Sequence, residues 1–190
     1  MTEELKQHNF DLFIKKLNQL GIETDQLVEA IGEKLKNASF SISNEKGDGL
    51  CGDGTLIEVI LKVLTIFAVK LNGLFAEGTR VNQETLVKVC LLHQIAKAVR
   101  LIPNDNPYEI EKRGLIYKYD STQPSIRTGL HSLVLAQSFG IKFTPEEAEA
   151  MTINDRDLSD DQARWHASQL ASIVRQANEM TYLQAINKGN

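Results

Sequence analysis

His93 and Gln94 are the residues of this chain whose types and spacing come nearest to chemistry, side by side within Leu91-Leu92-His93-Gln94-Ile95-Ala96-Lys97. An imidazole can carry a proton near neutral pH or ligate a metal. A hard divalent cation also needs carboxylate oxygens, which supply the neutralising charge. Gln94 offers a carbonyl oxygen without that charge. His93 shares a helical face with Leu86, Val89 and Cys90, so the residues alone predict a core histidine bonded to a neighbour. His131 and His166, with Asp155 or Asp157, form a second candidate ligand set, but their spacing is not diagnostic and structural roles are expected.

The segment Gly47-Asp48-Gly49-Leu50-Cys51-Gly52-Asp53-Gly54-Thr55 has the glycines of a phosphate loop but lacks its lysine and a preceding strand. As an acidic loop it lacks the spacing of a calcium-binding EF-hand. It reads as a turn feeding a capped helix. Arg156, Arg164, Arg175 and Lys142 are candidates for an anion patch, but acidic neighbours predict a solvated surface. Cys51 and Cys90 have neither metal-ligand spacing nor a disulfide framework, and Cys90 reads as a small buried hydrophobe.

These residues need elements to hold them, and the pattern is helical nearly throughout. Glu3 to Leu20 carries apolar residues at helical spacing and ends at Gly21, and Thr24 is placed to cap a second helix. Thr55-Leu56-Ile57-Glu58 reads as a capping box opening an apolar helix to about Leu74. Asn82 caps a helix expected to run from Gln83 to about Val99, before Pro103. Tyr108 to Lys112 and Leu115 to Tyr119, split by Arg113-Gly114, predict a small β-hairpin. Arg127 to Phe139 is a further helix. Thr144-Pro145-Glu146-Glu147 and Ser159-Asp160-Asp161-Gln162 are two more start signals, the second for a helix to about Leu183. Trp165 reads as a core or interface aromatic.

The chain has 190 residues, 42% hydrophobic and 24% charged, with net charge −4. That suits one domain with a sizeable core, and argues against a broad electrostatic grip on nucleic acid or anionic membrane. Glu58, Lys62 and Lys70 interrupt the longest apolar segment, which predicts a core helix and no membrane span. Met1-Thr2-Glu3-Glu4 predicts no signal peptide, and a cytoplasmic location is expected.

Taken in order, several segments between residues 47 and 182 resemble the small HD-domain metal phosphohydrolases of phages and prophages. The segment Leu91–Lys97 is similar to that family's Leu-Leu-His-Asp-Ile-x-Lys, with Gln94 in place of the aspartate. Asp53 stands where the resemblance implies the first metal histidine. In Arg127-Thr128-Gly129-Leu130-His131-Ser132, Gly129 and Ser132 agree, while Thr128 replaces an auxiliary histidine. Phe143 to Met151 matches a Leu-Thr-x-Glu-Glu-Ala pattern, and beyond it Asn154 replaces the second auxiliary histidine. Trp165-His166-Ala167-Ser168-Gln169 resembles the helix supplying the last metal aspartate, with Gln169 in its place.

The resemblance implies an all-α, irregular HD-like bundle, with a core over 47–182 and an added helical pair over 1–37. It implies a degenerate site at Asp53, His93, Gln94 and Gln169, with the auxiliary positions Thr128 and Asn154 lost and no metal or cofactor. Gln94 and Gln169 are expected to bond each other or a water. The leading expectation is a pseudoenzyme acting through protein–protein interaction or self-association, as a phage accessory or virion component. A metal-dependent phosphohydrolase of a nucleotide or phosphoester, and a metal-free nucleotide or small-anion binder, are the alternatives.

Overall fold

The computed structural model describes residues 1–43, 49–155 and 167–188, with side chains to residue 184. Ser159, Trp165, His166, Asp157, Arg156 and Arg164 lie outside the described residues, as do Gly47 and Asp48. The chain is mostly helical with one two-stranded antiparallel sheet.

Helix α1 (Glu3–Gln19) and α2 (Asp25–Asn37) form an antiparallel pair. Phe13 and Leu17 of α1 and Leu27, Ile31 and Leu35 of α2 belong to the same buried cluster as the rest of the chain. Thr24 precedes α2 but makes no cap bond; its hydroxyl lies 3.0 Å from Asn18 Oδ1 and donates to it.

From Thr55 to Gly73 the chain is one long apolar helix with a fault in it. Helix α3 (Thr55–Val59) passes into a π-helical turn (Ile60–Leu64) and then α4 (Thr65–Gly73). Leu56, Ile57, Ile60, Leu64 and Ala68 are buried along it. Thr65 Oγ1 donates to the Ile60 carbonyl at 2.7 Å, satisfying an acceptor in the widened turn.

The Thr55 capping box does not form. Gly54, at φ +78°, is the residue before the helix, and Thr55 is its first helical residue. Its hydroxyl instead accepts from Phe40 N at 3.0 Å and shares its own proton between the Gly52 carbonyl at 2.8 Å and the Leu50 carbonyl at 2.9 Å. Thr55 thus ties the segment after α2 to the segment before α3. The sequence pattern identified the helix start but not the competing long-range partners.

Asn82 does cap α5 (Gln83–Leu92), accepting from Thr85 N at 3.1 Å. That helix does not continue to Val99. It stops at Leu92, and His93 to Ala96 form turns leading into the short α6 (Lys97–Arg100).

Strand β1 (Leu101–Pro103) pairs antiparallel with β2 (Tyr117–Tyr119), Ile102 opposite Lys118. The second strand falls where the sequence predicts one, but its partner is not Tyr108 to Lys112. Those residues lie in α7 (Pro107–Arg113). Asn106 caps it, accepting from Tyr108 N at 3.1 Å, and Pro107 occupies the first turn. Asn106-Pro107 is a helix start, and that signal outweighs the weak alternation behind it.

Helix α8 (Thr128–Ser138) ends before Gly140, at φ +77°. Helix α9 (Pro145–Thr152) carries the predicted capping box complete: Glu147 N donates to Thr144 Oγ1 at 3.2 Å, and Thr144 N to Glu147 Oε2 at 2.8 Å. Helix α10 (Gln169–Lys188) packs on both α4 and α9, with Leu170, Val174 and Ala177 buried.

Two threonines that look alike in sequence should therefore differ in energy. Thr144→Ala should cost about 1 kcal/mol, as for an ordinary N-cap. Thr55→Val should cost more, about 1–3 kcal/mol, because it strands a buried Phe40 N–H. Urea unfolding of both variants measures this, and equal losses would reject the bridging role given to Thr55.

Candidate functional site

The break after Leu92 places His93 and Gln94 on different paths. His93 is fully buried. Its Nδ1 lies 3.2 Å from the Cys90 carbonyl. A carbonyl only accepts, so Nδ1 carries the proton and the neutral ring presents a bare lone pair at Nε2. Burial pulls the His93 pKa from 6.5 down to about 4, with the Cys90 bond opposing that and the positive charge of Lys97 assisting it. Nε2 has no hydrogen-bond partner among the described residues, nor has the nearby Asn178 Oδ1. Turning the Asn178 amide end for end would let its NH₂ donate to that lone pair.

Gln94 is 6% exposed and leaves Oε1 unpartnered. It lines a cavity of about 250 Å³. Thr128 and Asn154 line the same cavity, so three of the six positions marked by the sequence converge there. Phe40, Ser41 and Ile42 contribute from the segment after α2, and Leu101 and Tyr119 from the two strands. Asn178 and Tyr182, four residues apart on α10, close it with Lys97 and Asp155.

The polar walls have distinct states. Lys97 is half-buried, and its Nζ donates to the Phe40 carbonyl at 2.7 Å, sits 3.7 Å from the Phe40 ring centroid and is 3.5 Å from Tyr182 Oη. Among the described residues no carboxylate pairs with it. Desolvation lowers its pKa from 10.5 to about 7. Asp155 accepts from Gly129 N at 3.0 Å and Leu130 N at 2.7 Å, capping α8 from outside. Thr128 Oγ1 accepts from Arg100 at 3.1 Å. Asn154 keeps an unpartnered, buried Nδ2.

The residues that agree with the resemblance in α8 support this arrangement. A side chain at Gly129 would run into the Met151 carbonyl and the Asp155 carboxylate. Ser132 is fully buried, and its Oγ accepts from Ala96 N at 3.0 Å, serving a donor that the broken helix exposes. His131 is buried with Nδ1 unpartnered, and desolvation lowers its pKa.

Asp53 and Gln169 do not line the cavity. Asp53 is exposed and accepts from the Tyr117 hydroxyl at 2.5 Å, which with burial pushes the Tyr117 pKa up. Gln169 opens α10, nine residues before the Asn178 that reaches the cavity. Gln94 Oε1 and Gln169 Nε2 both lack partners, so these two amides do not bond each other. The sequence reading missed Lys97, Asn178 and Tyr182. Asn178 left a signal: it is an amide on the helical stripe that carries the apolar Ala171 and Val174.

The donors present do not fit a divalent metal. Among the described residues the cavity's one carboxylate, Asp155, is turned to two backbone amides, and the other side-chain oxygens belong to neutral amides and hydroxyls. Among the described residues, no group of three His, Cys, Asp or Glu side chains is placed to hold an ion. Likewise, none of the described helices is long and apolar enough to cross a membrane. No family model matches the chain, and no curated protein or solved structure matches it significantly.

His93 makes stability depend on acid. Its folded pKa lies below the unfolded value, so between about pH 6.5 and 4 the unfolded chain binds the extra proton. Stability therefore falls as pH is lowered through that window, by about 3 kcal/mol in all from this residue. His131 adds a loss in the same direction. Urea unfolding of the protein and of His93→Gln across this range should show a flatter profile for the variant. Parallel profiles would mean that His93 is not held neutral.

Proposed function

We propose that this chain is a non-catalytic HD-like protein that binds a small polar or anionic molecule without a metal. The observation supporting it is the convergence of Gln94, Thr128 and Asn154 on one cavity, with a lysine that has no carboxylate partner among the described residues. The resemblance places metal-site residues at those three positions. Here three uncharged residues border a space of about 250 Å³. This is below the usual range for drug-sized ligands, so the occupant is small. Hydrolysis through a metal-bound water is disfavoured by the donor set just described.

Thermal melting with acetate, inorganic phosphate and a nucleoside monophosphate tests this reading. A ligand at a hundred times its Kd should raise Tm by about 5 °C or more. Lys97→Met should abolish the rise. If none of the probes shifts Tm, or if the shift survives that substitution, the pocket is not an anion site. Metal-dependent phosphatase activity of the untreated protein would restore the enzyme reading.

Action through a protein partner has separate support. Ile66 and Leu74 lie eight residues apart on one side of α4 and its end, exposed by 45% and 81%, and Phe75 is exposed by 42%. Together they make an apolar projection uncovered by the described residues. Leu74→Ser with Phe75→Ser should change the unfolding free energy by no more than about 1 kcal/mol and change the mass in solution if copies associate there. An unchanged mass at high concentration would exclude self-association through this surface.

A further inference from the structure

Lys6, Lys36, Lys88 and Lys118 are each at least partly buried, and each has a carboxylate partner, in Glu3, Glu33, Glu147 and Asp105. Lys97 is half-buried too, yet among the described residues it has none. Its Nζ meets neutral groups instead: the Phe40 carbonyl at 2.7 Å, the Phe40 ring with its centroid 3.7 Å away, and Tyr182 Oη at 3.5 Å. The rings of Phe40 and Tyr182 pack on each other, centroids 5.4 Å apart. Amine, carbonyl and phenol thus form one cluster, and its residues line the cavity of about 250 Å³.

A carbonyl oxygen and a π face replace only part of the hydration that an ammonium loses on burial. Burial accordingly pulls the Lys97 pKa down to about 7. Near neutral pH much of the population then carries a free lone pair, and an amine in that state is a nucleophile. One N–H is given to the Phe40 carbonyl, and the ring attracts another. The cavity gives a small electrophile its approach to the same side chain.

We propose that Lys97 forms a Schiff base with a small aldehyde or ketone admitted to this cavity, with the Tyr182 hydroxyl passing the proton. The Nζ lone pair forms the C–N bond as the carbonyl π bond breaks onto oxygen. One proton passes from nitrogen to that oxygen through Tyr182. A second comes from solvent, the C–O bond breaks, and water leaves a protonated imine. The sum is ammonium plus carbonyl giving iminium plus water, with no oxidant or reductant. The surroundings favour this adduct over acylation or carbamate formation. A protonated imine keeps one N–H for the Phe40 carbonyl and a positive charge over the ring. An amide loses the charge, and a carbamate sets an anion against a carbonyl oxygen. This reaction shares its cavity with the anion reading and needs only that the cavity admit a small molecule.

Reductive trapping of the full chain at pH 7 with propanal and sodium cyanoborohydride, followed by peptide mapping, tests it. Lys97 should be alkylated at least about tenfold faster than the exposed Lys70, Lys112 and Lys142. Propanal without reductant should protect Lys97 saturably from acetic anhydride. Lys97→Arg, which keeps a cation over Phe40, should remove the fast site. Tyr182→Phe should slow trapping of propanal several-fold and leave acetylation of Lys97 unchanged, because acylation needs no proton on a departing hydroxyl. Melting curves establish that both variants are folded.

Alkylation of Lys97 no faster than that of the exposed lysines would overturn the Schiff base. So would fast acetylation of Lys97 without preferential trapping of propanal. Equal slowing of both reactions in Tyr182→Phe would remove the proton transfer assigned to that hydroxyl. A rise in Tm with acetate or phosphate, without selective trapping, would end this inference and leave anion binding standing. Selective trapping without any such rise would do the reverse.

Discussion

A single hydrogen bond sets the terms for the middle of this molecule: Ala96 N–H to Ser132 Oγ, 3.0 Å long and buried. An unbroken helix would give that amide to the carbonyl four residues back. The chain instead stops α5 at Leu92, turns through four residues and restarts at Lys97. The turn is viable inside the protein because α8 supplies the missing acceptor. α8 is held by its other neighbours: glycine at residue 129 lets it sit against the Met151 carbonyl, and Asp155 fixes its first turn. From this one exchange follow the inward placement of His93, the position of Gln94 on the cavity wall and the reach of Lys97 to Phe40.

The sequence disclosed much of what is decided locally. Asn82 and Thr144 act as caps because their partners lie three residues away, and Gly140 follows the end of α8 at a positive φ. It disclosed less where the partner is distant. Thr55 has the neighbours of a cap but is claimed by Phe40 and Leu50. Tyr108 to Lys112 has some alternation, but Asn106-Pro107 turns it helical and leaves Leu101–Pro103 to pair with Tyr117–Tyr119. The α5 break carried no proline or glycine to announce it. Its cause is a serine far along the chain.

The candidate site divides in the same way. Gln94, Thr128 and Asn154 were legible as positions because the order of segments marked them, and they do share a cavity. Asp53 and Gln169 were marked by the same reasoning, yet Asp53 is engaged with Tyr117 and Gln169 sits too early on α10. Lys97 was in plain sight within the most informative stretch. Its importance depends on the chemistry around it: a half-buried amine over an aromatic ring, with no carboxylate beside it among the described residues. Nothing in the linear sequence states that.

The π turn at Ile60–Leu64 has its own consequence for how this chain tolerates change in length. A π turn holds one residue more than an α turn needs, so it is the place where a single codon can be lost without unravelling the helix. Such a deletion would convert the fault to regular α-helix and leave the helix beyond it facing as it does now, whereas the same loss from α3 would swing everything beyond it by about 100° about the axis. Only in that second case would Ala68 and Asn72, now facing inward, give way to their neighbours. α10 packs along that side and carries Asn178 and Tyr182. This one turn therefore takes up a change in length that the cavity, built partly by α10, would otherwise register.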